Sequence, residues 1–139
     1  MTKFLSNEWI EKAKEVVEKN LDPKEDMKHA TTSLLNIIEN VPPKKTTVYL
    51  YISFENGNLS DLLIKSDDSM KNKETEFTVI GDYNTFVQIV KGEMSTIMAV
   101  LKNRVRLKGD KMKALRFTKP IDSINRVLSK IVTEYDEGY

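Results

Sequence analysis

The chain has 139 residues, 40% of them hydrophobic, and a formal net charge of +1, which bounds it to about one globular domain with a real core. Balanced charge offers no case for a nucleic-acid partner, and the absence of cysteine excludes disulfides, thiolate catalysis and cysteine metal sites. No apolar run approaches the ~20 residues that cross a bilayer, and the start turns polar after Phe4-Leu5, unlike a signal peptide, so the expectation is a soluble cytoplasmic protein.

The first predicted helix follows Ser6, whose hydroxyl can cap a free backbone N–H of the first turn. Leu5 and Ile10 stand at the positions of a hydrophobic staple. Trp9, Ile10, Ala13, Val16 and Val17 then recur at helical spacing as one apolar stripe. A second, short helix is predicted at Asp22-Pro23-Lys24-Glu25, with Asp22 as cap, Pro23 in the first position and Glu25 closing a capping box.

Residues Thr31–Val41 fit a helix by period and a strand by length and β-branching, and Pro42-Pro43 ends either. Thr46–Glu55 alternates, with Val48, Leu50, Ile52 and Phe54 on one face. Asn56-Gly57 is a hairpin turn, since both residues tolerate positive φ, and Leu59–Ser66 runs back. Asp67–Lys73 is polar and reads as a mobile loop, and Thr75–Ile80 as a further strand.

Asp82 is expected to cap a helix through Lys91, with Gly92 ending it. A short helix at Ser95–Lys102 is followed by an alternating strand at Arg104–Lys108, Val105 and Leu107 inward. Gly109-Asp110 turns into a short helix bearing Met112, Leu115 and Phe117. Pro120 is placed first in a last helix, on which Ile121, Ile124, Val127, Leu128, Ile131 and Tyr135 form one long stripe.

This order of elements, with Phe4-Leu-Ser6-Asn-Glu-Trp9 at the start and the apolar–basic strand Arg104-Val-Arg-Leu-Lys-Gly-Asp110, resembles the sterol carrier protein type 2 family, in particular its small stand-alone microbial members. The resemblance covers nearly the whole chain and is weakest over Leu21–Asp68. The family often carries glycine before the basic strand, where this chain has Asn103, the next best residue for positive φ. A tryptophan that some relatives carry near residue 30 has no counterpart. What the resemblance implies is an α+β fold: a curved, mostly antiparallel five-stranded sheet, covered on one face by helices, with an apolar tunnel between them. It makes Thr31–Val41 a strand. It also implies binding and transfer of fatty acids, acyl-CoA esters or sterols, without a cofactor, and it brings no catalytic residues to carry over; the apolar helix faces would suit an isoprenoid-like lipid as well.

Periodicity then nominates the tunnel lining as Phe86, Ile89, Val90, Met94, Ile97, Met98, Leu101, Val105, Leu107, Met112, Leu115, Ile124 and Leu128. Methionine suits an irregular apolar ligand, although Met94, Met98 and Met112 fill an ordinary core equally well. Residues 102–119 hold eight Lys or Arg against one acid. Arg104, Arg106 and Lys108 are accordingly candidates for docking a lipid head group or making transient contact with an anionic membrane, with a solvated strand face as the plainer reading. Nucleic-acid recognition lacks a motif there. His29, the one histidine, sits in a polar stretch and reads as a surface residue. Tyr49, Tyr51 and Tyr83 are expected to face solvent more readily than a tunnel, and no metal-ligand spacing is evident. The competing reading is an interaction module, a homodimer or a partner of a lipid-metabolising enzyme, in which the tunnel has collapsed.

Overall fold

A two-residue strand, β1 (Thr2–Lys3), leads into helix α1 (Asn7–Asn20) in the computed structural model, which describes residues 1–136. The helix starts where expected: Ser6 Oγ accepts from the backbone N–H of Trp9 at 3.1 Å. Its buried stripe is Trp9, Ile10, Ala13 and Val17.

The second helix expected at Asp22 does not form. Residues 23–29 make successive turns instead. Asp22 Oδ1 does accept from the N–H groups of Lys24 and Glu25, at 2.8 and 2.9 Å, but Asp26, not Glu25, reaches back to the Asp22 N–H at 2.8 Å. Lys28 and His29 then take φ of 52° and 55°, which breaks the helical ladder after one turn. His29 is exposed.

Five strands form the main sheet: β2 (Thr32–Val41), β3 (Thr46–Glu55), β4 (Asn58–Lys65), β5 (Phe77–Asp82) and β6 (Val105–Lys108). Their order is β4-β3-β2-β5-β6, with β2 and β5 parallel and the other pairs antiparallel. Of residues 31–41, ambiguous by period, all but Thr31 are thus strand. β2 is the central strand, and it carries apolar residues on both faces: Leu34 and Ile38 on one, Leu35 and Ile37 on the other. A strand covered on both sides loses the alternation that would have identified it. Asn56 and Gly57 make the expected turn at φ 50° and 84°. Only glycine fits at 57, because a Cβ would lie 2.4 Å from the Pro23 carbonyl oxygen.

The segment after β4 is not a featureless loop. Asp67 accepts from the Ser69 N–H at 2.9 Å and starts a single 3-10 turn, Asp68–Met70. Met70 is buried with Leu35 and Tyr49 on the outer face of the sheet, away from the helices. Tyr49, expected to face solvent, is therefore buried, and its hydroxyl donates to Asp68 at 3.1 Å. Burial first, and then Asp68, push its phenol above the ordinary value. Tyr83 is buried as well, tilted against Phe4 with ring centroids 5.9 Å apart.

Helices α2 (Tyr83–Val90), α3 (Thr96–Leu101), α4 (Lys111–Arg116) and α5 (Thr118–Leu128) follow. Ser95 and Asp110 cap α3 and α4 through their side chains. Asp82 stands at the start of α2 but accepts from Asn40 Nδ2 at 2.7 Å rather than from its own helix. Asn103 ends α3 at φ 56°, the conformation its residue type suits. Pro120 is third, not first, in α5, and the helix stops at Leu128. The long stripe expected through Ile131 and Tyr135 is broken there. Ile131, Val132 and Thr133 are β-branched, and the chain goes extended into β7 (Thr133–Glu134), parallel to β1. Tyr135 then packs on Phe4, with centroids 5.2 Å apart. Gly81 lies inside β5, where a Cβ would come within 2.6 Å of Val105 Cγ1, so this glycine lets β5 and β6 approach.

Candidate functional site

Strand alternation sends one row of side chains toward the helices. Leu34, Asn36 and Ile38 of β2 stand beside Leu50 and Ile52 of β3, Phe77 and Val79 of β5, and Leu107 of β6. Above this floor lie α2, α3, α4 and α5, with Trp9 and Ala13 of α1 forming a side wall. Floor and roof do not close on each other. They enclose an apolar cavity of about 90 Å³. A second void of about 20 Å³ lies beside it, and both share Leu34, Ile52, Phe77, Ile121 and Ile124 as walls.

Seven of the thirteen nominated lining residues border the larger cavity: Phe86, Ile89, Val90, Ile97, Leu107, Ile124 and Leu128. The other six do not. Val105 is buried in the core next to Gly81 and Met94 packs at the core's edge. Met98, Leu101, Met112 and Leu115 point outward and are exposed. The reason is helix phase. On α3 the inward positions are Thr96, Ile97 and Val100, and on α4 the small Ala114 faces the cavity. When nearly every residue of a six-residue helix is apolar, periodicity does not say which side is inside.

The polar residues at the cavity went unnoticed in the sequence. Asn36 stands among the apolar floor residues and donates from Nδ2 to the Leu50 carbonyl at 3.3 Å. Thr96 and Asn125 meet across the α3–α5 seam at 3.1 Å, with Asp122 nearby on the cavity wall. Asn36 falls in the stretch that fits helix or strand equally, so the sequence carries no signal of which way it faces. The sheet's inward row, by contrast, was legible as one face of Val48–Phe54.

The nominated basic residues do not border the cavity. Arg106 and Lys108 project from the face of β6 opposite Leu107, so the sheet separates them from it. Arg104 is turned onto α2, where one guanidinium nitrogen donates to Thr85 Oγ1 at 3.2 Å and Gln88 Oε1 at 3.1 Å. Charge instead fastens the roof. Lys113 of α4 pairs with Glu76, which also accepts from Thr32 at 2.5 Å. Burial pushes the Glu76 carboxyl up, but the hydrogen bonds from Lys113 and Thr32 outweigh it and hold the group below its ordinary value. Arg126 of α5 reaches Asp26 at 3.3 Å. No group of three or more His, Asp or Glu that could hold a metal occurs among the described residues.

A mixed five-stranded sheet with helices over one face is the fold of the sterol carrier proteins. The chain belongs to the SCP-2 sterol transfer family, whose sequence profile matches residues 11–122. A Thermus thermophilus protein, described as a conserved hypothetical protein and possibly a sterol carrier protein, has the same fold with a TM-score of 0.77 at 13% identity, over 99% of this chain and 96% of its own. A crystal structure of sterol carrier protein 2 gives a TM-score of 0.77 at 13% identity, over 94% of this chain and 100% of its own. The sec-alkylsulfatase Pisa1 from Pseudomonas sp. matches 76% of this chain with only 15% of its own length, at 24% identity and a TM-score of 0.51. No functionally curated protein is significantly similar in sequence. No helix among the described residues is long and apolar enough to cross a membrane.

Proposed function

We propose that this protein binds a lipid in the cavity between sheet and helices and carries it, without catalysing a reaction, in the cytoplasm. The observation that carries the reading is the cavity itself. A void of about 90 Å³ costs roughly 2 kcal/mol at ~24 cal/mol per Å³. That is a substantial share of the ~5–15 kcal/mol of a typical domain. An apolar chain entering it would gain about 0.8 kcal/mol per buried methylene, enough for useful affinity with few polar contacts.

At rest the cavity is smaller than the ~150 Å³ engineered cavity that admits benzene. A chain-length ligand therefore has to part the walls. The five shared residues are the natural partition to move, because displacing them joins the two voids. Helix α5 supplies two of the five, and its polar ties to the body include Arg126–Asp26 and Asn125–Thr96. Outward movement of α5 is the proposed opening step. Long acyl or isoprenoid chains and sterols are the proposed ligands, their polar ends directed to the Thr96–Asp122–Asn125 side.

Trp9, the one tryptophan, lines the cavity and is fully buried, so it reports on occupancy. Titrating delipidated protein with a fatty acid, an acyl-CoA and a sterol should give a saturable change in Trp9 emission. Native mass spectrometry should show a matching one-to-one adduct. A protein that stays free of ligand by both readouts refutes the carrier reading. The small resting volume then favours the alternative, an interaction module whose cavity has collapsed. Light scattering that shows a dimer in that ligand-free protein would support it.

A further inference from the structure

Helix α3 reads Thr96-Ile-Met-Ala-Val-Leu101 and is apolar on every side. Its inner residues Ile97 and Val100 line the cavity, yet Met98 and Leu101 are 42% and 71% exposed. Helix α4 repeats the arrangement: Ala114 faces the cavity while Met112 and Leu115 are 70% and 54% exposed. A helix that is apolar all round is ordinarily buried. These four residues make up most of the large hydrophobics left exposed among the described residues, the others being Met1, Leu63 and Val132.

The two helices also present the same outward trio. Met98, Leu101 and Lys102 occupy positions i, i+3 and i+4, as do Met112, Leu115 and Arg116, so each trio shares one helix face. Lys102, Lys111 and Arg116 are exposed and pair with no carboxylate among the described residues. Both helices pack against α5 and both line the cavity.

We propose that the outer surface of α3 and α4 docks on an anionic lipid bilayer. Met98, Leu101, Met112 and Leu115 enter the interface, and Lys102, Lys111 and Arg116 meet the lipid phosphates and carboxylates. The charge selects this occupant. A second copy related by a two-fold axis would set the same cations against each other. A nucleic acid, bound through its phosphates, would leave the four exposed apolar side chains with nothing apolar to cover them. The inference deepens the carrier reading, because a bilayer on this surface lies one helix thickness from the cavity.

The test is flotation of delipidated protein with vesicles of phosphatidylcholine alone or mixed with phosphatidylserine, at low and high salt. Wild type should float only with the mixed vesicles and lose binding as salt rises. Each cation near an anionic surface contributes about fivefold, so Lys102→Gln/Arg116→Gln should bind about 25-fold more weakly. Leu101→Gln/Leu115→Gln should lose more than tenfold, the apolar part of the contact. Both pairs are surface changes, and unaltered Trp9 emission would show the fold intact. Wild type that floats with neither vesicle, or either double variant floating as well as wild type, overturns the proposal. So does a dimer that Leu101→Gln/Leu115→Gln dissolves while wild type fails to float, which would give the face to a second copy. Because docking is read without ligand, its failure leaves the one-to-one lipid adduct free to stand or fall separately.

Discussion

Replacing Ala114 by leucine puts a larger side chain where α4 faces the cavity. The three added carbons would gain about 2 kcal/mol at ~0.8 kcal/mol each, close to what the void costs. Ordering the leucine returns about 0.5–1 kcal/mol. The expected net is about 1 kcal/mol of added stability, or about 3 °C in Tm for a domain of this size. The same substitution should weaken lipid binding at least tenfold, because the ligand would have to displace the leucine. Calorimetry gives the first number and the Trp9 titration the second. A destabilised variant would mean that the space is not open to residue 114. A stabilised variant with undiminished affinity would mean that lipid binds elsewhere, and the cavity argument would fail.

Other perturbations probe the frame that holds the cavity. Gly81→Ala should cost about 1–3 kcal/mol in urea unfolding, because its Cβ meets Val105 Cγ1 at 2.6 Å and Phe86 at 3.3 Å; a neutral result would show that β6 yields freely. Met27, fully buried beneath the turns that replace the expected second helix, should cost about 2–5 kcal/mol as Met27→Ala. Glu76 is held below its ordinary value of 4.5, so its contribution is present above that pH and is lost as pH falls through the folded value. The Tm values of wild type and Glu76→Gln should therefore differ at neutral pH and converge in acid; a constant difference would remove Glu76 from the acid response. Tyr49→Phe deletes only the hydroxyl bonded to Asp68 and should cost about 1 kcal/mol by thermal unfolding, with lipid affinity unchanged because the residue lies on the far face of the sheet.

Where local chemistry has one solution, the sequence was enough. Ser6 caps its helix through its hydroxyl, Asn56-Gly57 turns the hairpin, and the alternation of β3 and β6 declares which residues face the helices. The Phe4–Trp9 start also carried the resemblance, and its rings meet edge to face at 5.0 Å. The central strand was harder, because burial on both faces erases the period-two signal. Capping residues alone could not make a helix at Asp22: Lys28 and His29 turn to positive φ, and Ala30 then accepts from the Gly57 N–H of the β3–β4 turn at 2.8 Å.

Read alone, the sequence yields an α+β class, the apolar rows of β3 and β6 and a surplus of apolar helix faces. It did so because side-chain period and backbone caps are local properties. The tertiary structure alone decided that Met98, Leu101, Met112 and Leu115 point outward and that Asn36 and Ala114 point inward. For the helix residues the outcome is the rotation of two six-residue helices about their axes, which packing fixes, and for Asn36 it is the register of a strand buried on both faces.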